Sequence, residues 1–496
     1  MAGRQRGRRV AAALAAVAAL AVALLVTLGR DRRPAPAAPA PPAPRPAGLA
    51  GPTSAGLRAA VGAGGMRRHL EALQRIAEAN DGNRAAGTGG YDASLAYVER
   101  ELRAAGYAPR TDRFDVPVFA QRRPPLLEVP GVPGLRAGFD YRLLAFSAGG
   151  DVRAPLRPVD LPPAASAGAT TSGCDPGDFA GFARGAIALV QRGGCPFRVK
   201  ADRAQQAGAS ALLVADGPRP AGVEAFEGTL GGPGVRLPVL ALRNQVAARL
   251  AGLRGPAHVT AETVSALRPT ANLLAELPGS PGDRVVMVGA HLDSVPGGPG
   301  INDDGSGTAA VLEIARAVAR SRPRATLRFA WWGAEEPGLL GSRHWVGGRT
   351  RAELDRIALY LNLDMIGSPN FSRLVYGGGP PGSRVVRGTL GAWFRSQGLG
   401  SRTIDLSGRS DHAAFAARGV PVGGLFSGAE GIKGAGEPGG GAGPGQPYDG
   451  CYHRACDRLG NVDPVALEQL GDAAAHAVAT FAAGTQAVDR ERRRGP

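Results

Sequence analysis

Cysteine is scarce: the 496 residues hold four, at positions 174, 195, 451 and 456, and no two form a Cys-x-x-Cys pair. That spacing gives no support to a dithiol redox motif or a zinc ribbon. Each pair is close along the chain, so Cys174–Cys195 and Cys451–Cys456 are the simplest of the three possible disulfide connectivities. Lysine is scarcer still, two residues against 56 arginines, an imbalance that reflects coding bias more than chemistry. Aromatic residues make up 5% and are not interleaved with a basic cluster, which excludes a nucleic-acid surface. The net charge of +16 is also unevenly spread. Residues 1–50 carry eight arginines against Asp31, and residues 489–494 carry four against Asp489 and Glu491, so the body between them is only modestly basic.

One long apolar run is present, Val10 to Leu28, with Arg4, Arg6, Arg8 and Arg9 before it and Arg30, Arg32 and Arg33 after it. Its length approaches a bilayer span and exceeds the usual core of a secretory signal. The expectation is an exported chain, secreted or anchored with its arginine-rich start inside. Cleavage near Ala35–Ala37 is the alternative to an anchor, and the segment offers no cysteine for a lipid. Residues 1–33 are thus a signal or anchor, 34–60 a linker stiffened by proline and alanine, and 489–496 a basic tail.

The most informative stretch is His291-Leu-Asp-Ser-Val-Pro-Gly-Gly-Pro-Gly-Ile-Asn-Asp-Asp-Gly-Ser-Gly-Thr308. It lies between a strand-like run, Val285–Val288, and the small residues that open a helical pattern. His291, Asp293 and Asp303 therefore sit on a glycine-rich turn at a strand end, where open α/β sheets place their ligands. Imidazole with carboxylate suits zinc. Three further segments follow. Glu335 and Glu336 leave the apolar run Phe329–Trp332, Asp364 ends Leu361-Asn-Leu, and His453 stands in Cys451-Tyr-His-Arg-Ala-Cys456.

Apolar spacing predicts helices from Met66 and over Tyr91–Ala105, then a strand over 111–118. From 270 onward strands alternate with helices: strands near 272–277, 284–290, 326–332, 358–363 and 373–376, and helices near 306–320 and 464–481. This alternation reads as an α/β fold, a mixed and largely parallel sheet between helices. Residues 428–447, rich in glycine, read as a mobile loop leading into the second cysteine pair.

Two resemblances emerge. Gly185-Ala-Ile-Ala-Leu-Val-Gln-Arg-Gly-Gly-Cys195-Pro-Phe, followed by Lys200-Ala-Asp-Arg-Ala-Gln-Gln-Ala-Gly-Ala, resembles a protease-associated (PA) domain, which implies a β-rich module over 120–265 that filters substrate or simply packs. His-x-Asp, Asn-Asp-Asp-Gly-x-Gly, Glu-Glu-x-Gly-x-x-Gly-Ser, Asn-Leu-Asp-Met-Ile-Gly and Tyr-His, with Ser410-Asp-His, resemble the double-zinc aminopeptidases typified by aminopeptidases S and Y. The match assigns 61–119 and 266–488 to a zinc-peptidase catalytic domain.

The resemblance implies two zinc ions per chain. His291 and Asp364 would hold one, Glu336 and His453 the other, and Asp303 would bridge them. Asp293 would receive the second ring N–H of His291, Glu335 would be the general base, and Tyr452 would donate to the oxyanion. It also implies a cis peptide at Asp303–Asp304. Calcium is a further candidate ion for which no stretch gives support. Substrates would be peptides or proteins with a free N-terminus. A carboxypeptidase of the glutamate-carboxypeptidase type is the nearest alternative, but only about forty residues follow His453, too few for its helical dimerisation domain. A surface binding protein on the same scaffold is the other, and such proteins lose ligands that this chain keeps. His69, His258, His344 and His476 lack acidic motifs and read as structural, and His412 reads as part of the site's wall.

Overall fold

The computed structural model describes residues 51–161, 171–217, 222–253, 255–280 and 282–495. The apolar run at 10–28 and most of the linker lie outside them. Among the described residues, no helix is long and apolar enough to cross a membrane.

The strands in chain order are β1 (Arg110–Glu128), β2 (Tyr141–Leu143), β3 (Gly150–Pro158), β4 (Ile187–Gln191), β5 (Ala211–Ala215), β6 (Val239–Leu242) and β7 (Pro256–Leu277). They continue with β8 (Val285–His291), β9 (Thr326–Trp332), β10 (Ile357–Leu363), β11 (Leu374–Gly377), β12 (Arg402–Asp405) and β13 (Val422–Phe426). The larger half of the sheet runs β12-β11-β13-β10-β8-β9-β7, and β1 pairs antiparallel with β7. Strands β13, β10, β8 and β9 are mutually parallel, so their C-terminal ends open on one edge.

Both faces of this sheet are covered, which is why its central strands read as continuous apolar runs. Val286, Val288 and Ala290 of β8 pack with the Ala63–Glu78, Gly305–Val318 and Pro464–Ala483 helices. Val285 and Met287 point the other way, into a cluster with Trp332, Trp345 and Phe415. Period-two alternation of the pleat sorts one run into two cores.

The PA module repeats the arrangement on a smaller scale. Strands β3, β4, β5 and β6 are parallel neighbours, with β2 antiparallel at the edge. Leu156, Ile187, Leu189 and Leu213 pack with Val246 and Leu250 of the Asn244–Ala251 helix. Val190, Leu212 and Val214 pack with Ala201 and Ala204 of the Phe197–Gln206 helix, on the opposite face. The module therefore has helices as well as strands. Its expected limits at 120 and 265 fall inside β1 and β7, where Phe119 faces Ser265 and Ala120 faces Val264. It grows from the catalytic sheet as a two-stranded ribbon.

Two local expectations change. The glycine-rich loop at 428–447 is pinned: Lys433 Nζ donates to the carbonyls of Phe371 and Gly440 at 2.8 and 2.7 Å. The Asn370 amide donates to Gly443 O at 2.9 Å and accepts from Gly443 N at 2.8 Å. Gly441, at φ +92°, passes so close to Pro369 and Asn370 that a Cβ would have no room. Close packing accounts for Gly428, Gly439, Gly440 and Gly441, and left-handed backbone for Gly436, Gly443 and Gly445. The basic tail is likewise part of a helix, Gln486–Arg494, tied down by Arg284–Asp489 at 3.0 Å and Arg384–Glu491 at 2.9 Å. Both expected disulfides, Cys174–Cys195 and Cys451–Cys456, are formed.

Candidate metal centre

Three adjacent parallel strands deliver the first ligands. His291 is the last residue of β8, Asp364 follows β10 directly, and Glu335–Glu336 follow β9 after a two-residue turn. His453 comes from the disulfide-closed loop between Cys451 and Cys456. Ala334, Met365 and His453 all adopt left-handed backbone (φ 55°, 56° and 58°), unusual for residues with a side chain. Such conformations persist where the surroundings over-determine them, typically at functional sites. The Asp303–Asp304 peptide bond is cis.

The five expected ligand side chains converge. Asp303 lies between the two imidazoles, its Oδ1 3.2 Å from His291 Nε2 and its Oδ2 3.2 Å from His453 Nε2. Asp364 Oδ1 is 3.5 Å from His291 Nε2, and Glu336 Oε2 is 3.0 Å from His453 Nε2. Asp303 Oδ2 and Glu336 Oε1 are buried with no hydrogen-bond partner. A buried carboxylate oxygen without a donor is costly, and a cation removes that cost. The donor set, nitrogen and carboxylate oxygen only, fits zinc. Asp304 is also near His291 and Asp364, but its carboxylate accepts backbone N–H bonds from His291 (3.2 Å), Gly307 (2.9 Å) and Met365 (3.0 Å). It staples three segments together.

Burial alone would raise the Asp303 carboxyl, yet the flanking His291 and His453 rings hold it down at about 2. Burial and then the charge of Asp303 push Glu336 up to about 7. Burial works against a charged His453, but the adjacent Asp303 and Glu336 carboxylates carry the ring up to about 10. Glu335 is pushed well above the carboxylate range, first by burial and then by nearby charges including Asp364 and Asp411.

Asp293 differs in detail from its expected role. The His291 Nδ1–H meets the main-chain carbonyl of Asp293 at 3.1 Å, and the carboxylate lies 3.7 Å away, too far for a hydrogen bond. That carboxylate instead accepts the N–H groups of Glu335 (3.1 Å) and Glu336 (3.4 Å), fixing the acidic pair. The Tyr452 ring stacks on His453 at 3.8 Å, and its hydroxyl accepts from Arg409 at 3.3 Å.

Of the other histidines, His69 bridges Tyr97 (2.6 Å) and Glu313 (2.7 Å), and His258 lies 2.7 Å from Asp151. Their acidic partners are distant in sequence, so no motif announced them. His344 stacks on Phe114, and His476 pairs with Ser54. His412 is buried against Tyr376, 4.7 Å between rings, and burial holds it down at about 4.

Arg84 escaped the sequence reading altogether. Fully buried, its guanidinium donates to the carbonyls of Leu292, Pro299 (2.9 Å) and Gly300 (2.6 Å), clamping both ends of the ligand turn. Its signal, one arginine in a Gly/Asn-rich break, is indistinguishable from a loop residue. Asn302, Asp449, Asp457 and Asn461, which join the His453 loop to the Asp303 turn, were missed as well.

A mixed α/β sheet with His and carboxylate ligands on its C-terminal edge, carrying an inserted lobe, defines a zinc-peptidase-like fold. The family model for peptidase family M28 matches residues 272–478, and that for the PA domain matches 154–250. An aminopeptidase of Pseudomonas aeruginosa (strain UCBPP-PA14) is 41% identical over 458 residues, covering 88% of this chain and 84% of that one. The probable lipoprotein aminopeptidase LpqL of Mycobacterium tuberculosis is 40% identical over 446 residues, 86% of each chain. The structure of BSAP, a zinc aminopeptidase from Bacillus subtilis, is similar with a TM-score of 0.56 and 25% identity, over 84% of this chain and 94% of that one. The chain belongs to peptidase family M28, as an aminopeptidase with an inserted PA domain.

Proposed function

We propose that the chain is an exported aminopeptidase that removes the N-terminal residue of peptides and holds two zinc ions in the centre described above. The observation that carries this reading is Asp303, with one imidazole at 3.2 Å from each of its oxygens and a further carboxylate beside each ring. His291 and Asp364 would hold one ion, Glu336 and His453 the other, and Asp303 both. When bound, such a pair lowers the pKa of water and polarises the scissile carbonyl.

The chain's own groups do the rest. Glu335, buried beside the ligand Glu336 and held by its backbone N–H, takes the proton of the attacking water and returns it to the leaving amine. Tyr452, with its hydroxyl oxygen already accepting from Arg409, keeps its own O–H free to donate to the oxyanion. Glu335 and Asp364 form an acidic wall suited to a free α-ammonium, which favours an exopeptidase acting on N-termini. Asp293 holds Glu335 and Glu336 by their backbone N–H groups and keeps base and ligand in register. The 1–33 segment would export the body, in line with a lipoprotein aminopeptidase among the relatives. Catalytic residues 61–119 and 266–488 would then work beside a 120–265 module that limits access.

Metal analysis with a panel of aminoacyl-nitroanilides, each with a free and a blocked amine, tests this. Two zinc ions per chain and hydrolysis only of free amines are expected. Equal rates on blocked substrates would reject the exopeptidase reading.

A further inference from the structure

His291 and Asp364 are anchored at the ends of central strands, but His453 stands on a six-residue loop outside the sheet. What holds that loop against Asp303 is a set of buried polar side chains. Asp449 and Asp457 flank the Cys451–Cys456 loop, one on each side, and each is 1% exposed. Asp457 accepts the backbone N–H groups of Asn302 at 2.8 Å and of Asp303 at 3.0 Å. Asp449 accepts the Asn302 side-chain amide at 2.7 Å and the Cys451 N–H at 2.8 Å. The Asn461 amide ties the two together, 3.0 Å from both oxygens of Asp449 and 3.3 Å from Asp457 Oδ1. Asn302 then reaches the third ligand segment, accepting from Gly367 N at 3.0 Å and donating to Ser368 Oγ at 3.0 Å.

We infer that Asp449 and Asn461 are positioning residues that preset His453 against Asp303, so that the Glu336–His453 half of the centre is assembled before its ion arrives. The inference rests on the two-ion reading above. Its chemical basis is that an ionised carboxylate only accepts, and Asp449 is ringed by N–H donors alone. Asp449→Asn turns an amide NH₂ towards those donors and loosens the loop foot. Neither Asp449 nor Asn461 touches His291 or Asp364, and they reach that half of the centre only through Asn302, so the His453 loop takes the larger disturbance.

The test is calorimetric titration of the metal-stripped full-length chain with Zn²⁺, alongside kcat at rising free zinc. The wild type should bind two equivalents. In Asp449→Asn and Asn461→Ala the first equivalent should bind as before, and the second should weaken by roughly 10–100-fold, the usual effect of losing a group that orients a ligand. Excess zinc should then restore kcat, which a folding defect would not allow. Should Asp449→Asn fail to fold, Asn461→Ala, at a partly exposed position, carries the test alone. Both equivalents weakening together, or neither, overturns the inference while leaving the two-ion reading intact. A wild type that binds fewer than two equivalents overturns both.

Discussion

The candidate metal centre and the PA module are built by the same rule and treat buried carboxylates in opposite ways. Each is a largely parallel sheet packed on both faces, with alternate residues of one strand sent to two cores. In the module the fully buried Lys200 is satisfied, its Nζ donating to Ser172 O at 2.5 Å. Among the described residues of the module, no buried carboxylate oxygen is left without a donor. The catalytic sheet instead leaves Asp303 Oδ2, Glu336 Oε1 and both oxygens of Asp411 without partners at its C-terminal edge. These unpartnered carboxylate oxygens thus gather in the candidate metal centre, whereas the module's one orphaned atom among the described residues is a donor, Arg243 Nε.

The largest expected effect tests the acidic pair. Glu335→Gln should keep both ions and lower kcat by about 10²–10⁴, the range general-base catalysis supplies, with KM little changed. Glu336→Gln should lose one zinc by elemental analysis and lower thermal stability with it. A Glu335→Gln protein short of an ion would reverse the assignment.

The two disulfides sharpen the contrast. Cys174 and Cys195 are 21 residues apart, and replacing both with serine should cost about 3 kcal/mol by loop entropy, with little effect on nitroanilide turnover. Cys451 and Cys456 are 5 apart, so their loss should cost only about 2 kcal/mol, yet it should reduce zinc content because His453 lies between them. Denaturant melts alongside metal analysis separate the two outcomes.

Removing the module is a milder test. Joining Phe119 to Ala266 through a short turn converts β1 and β7 into a hairpin, since Val118 and Ala266 already pair across the ribbon. Zinc content and turnover of small chromogenic substrates should persist, and rates on longer peptides should change. Equal losses on both substrates would make the module a purely structural insertion.

The smallest effect belongs to Lys200. Burial lowers its pKa from the ordinary 10.5 to about 8, slightly opposed by Asp178. Between these values the unfolded chain holds a proton that the folded chain has lost, so stability should rise with pH from about 8 to 10.5. Melting temperatures across that window should rise more for wild type than for Lys200→Met.

Legibility in the sequence followed locality. His291, Glu335, Glu336 and Asp364 sit in or after apolar strands, and a charge ending a buried run is visible without coordinates. The β8, β9 and β10 limits fell within a residue or so for the same reason, because burial on both faces leaves an uninterrupted apolar signature. The ribbon of β1 and β7 was missed over much of its length, since half-exposed strands with Arg122, Arg123 and Glu262 carry no such signature.

By itself, then, the sequence specified the candidate ligand residues, the order of the segments and the alternation that yields an α/β sheet, because each is encoded in spacings of a few residues. Tertiary structure alone decided that Asp303 sits between two imidazoles from segments 162 residues apart, and that Arg84 clamps the turn beneath it. It also decided that Asp293 grips Glu335 and Glu336 by their backbones and that Lys433 pins a loop whose glycines suggested motion. All but the first are contacts between a side chain and a distant main-chain group, and a main-chain N–H or carbonyl leaves no mark in the sequence that a pattern could detect.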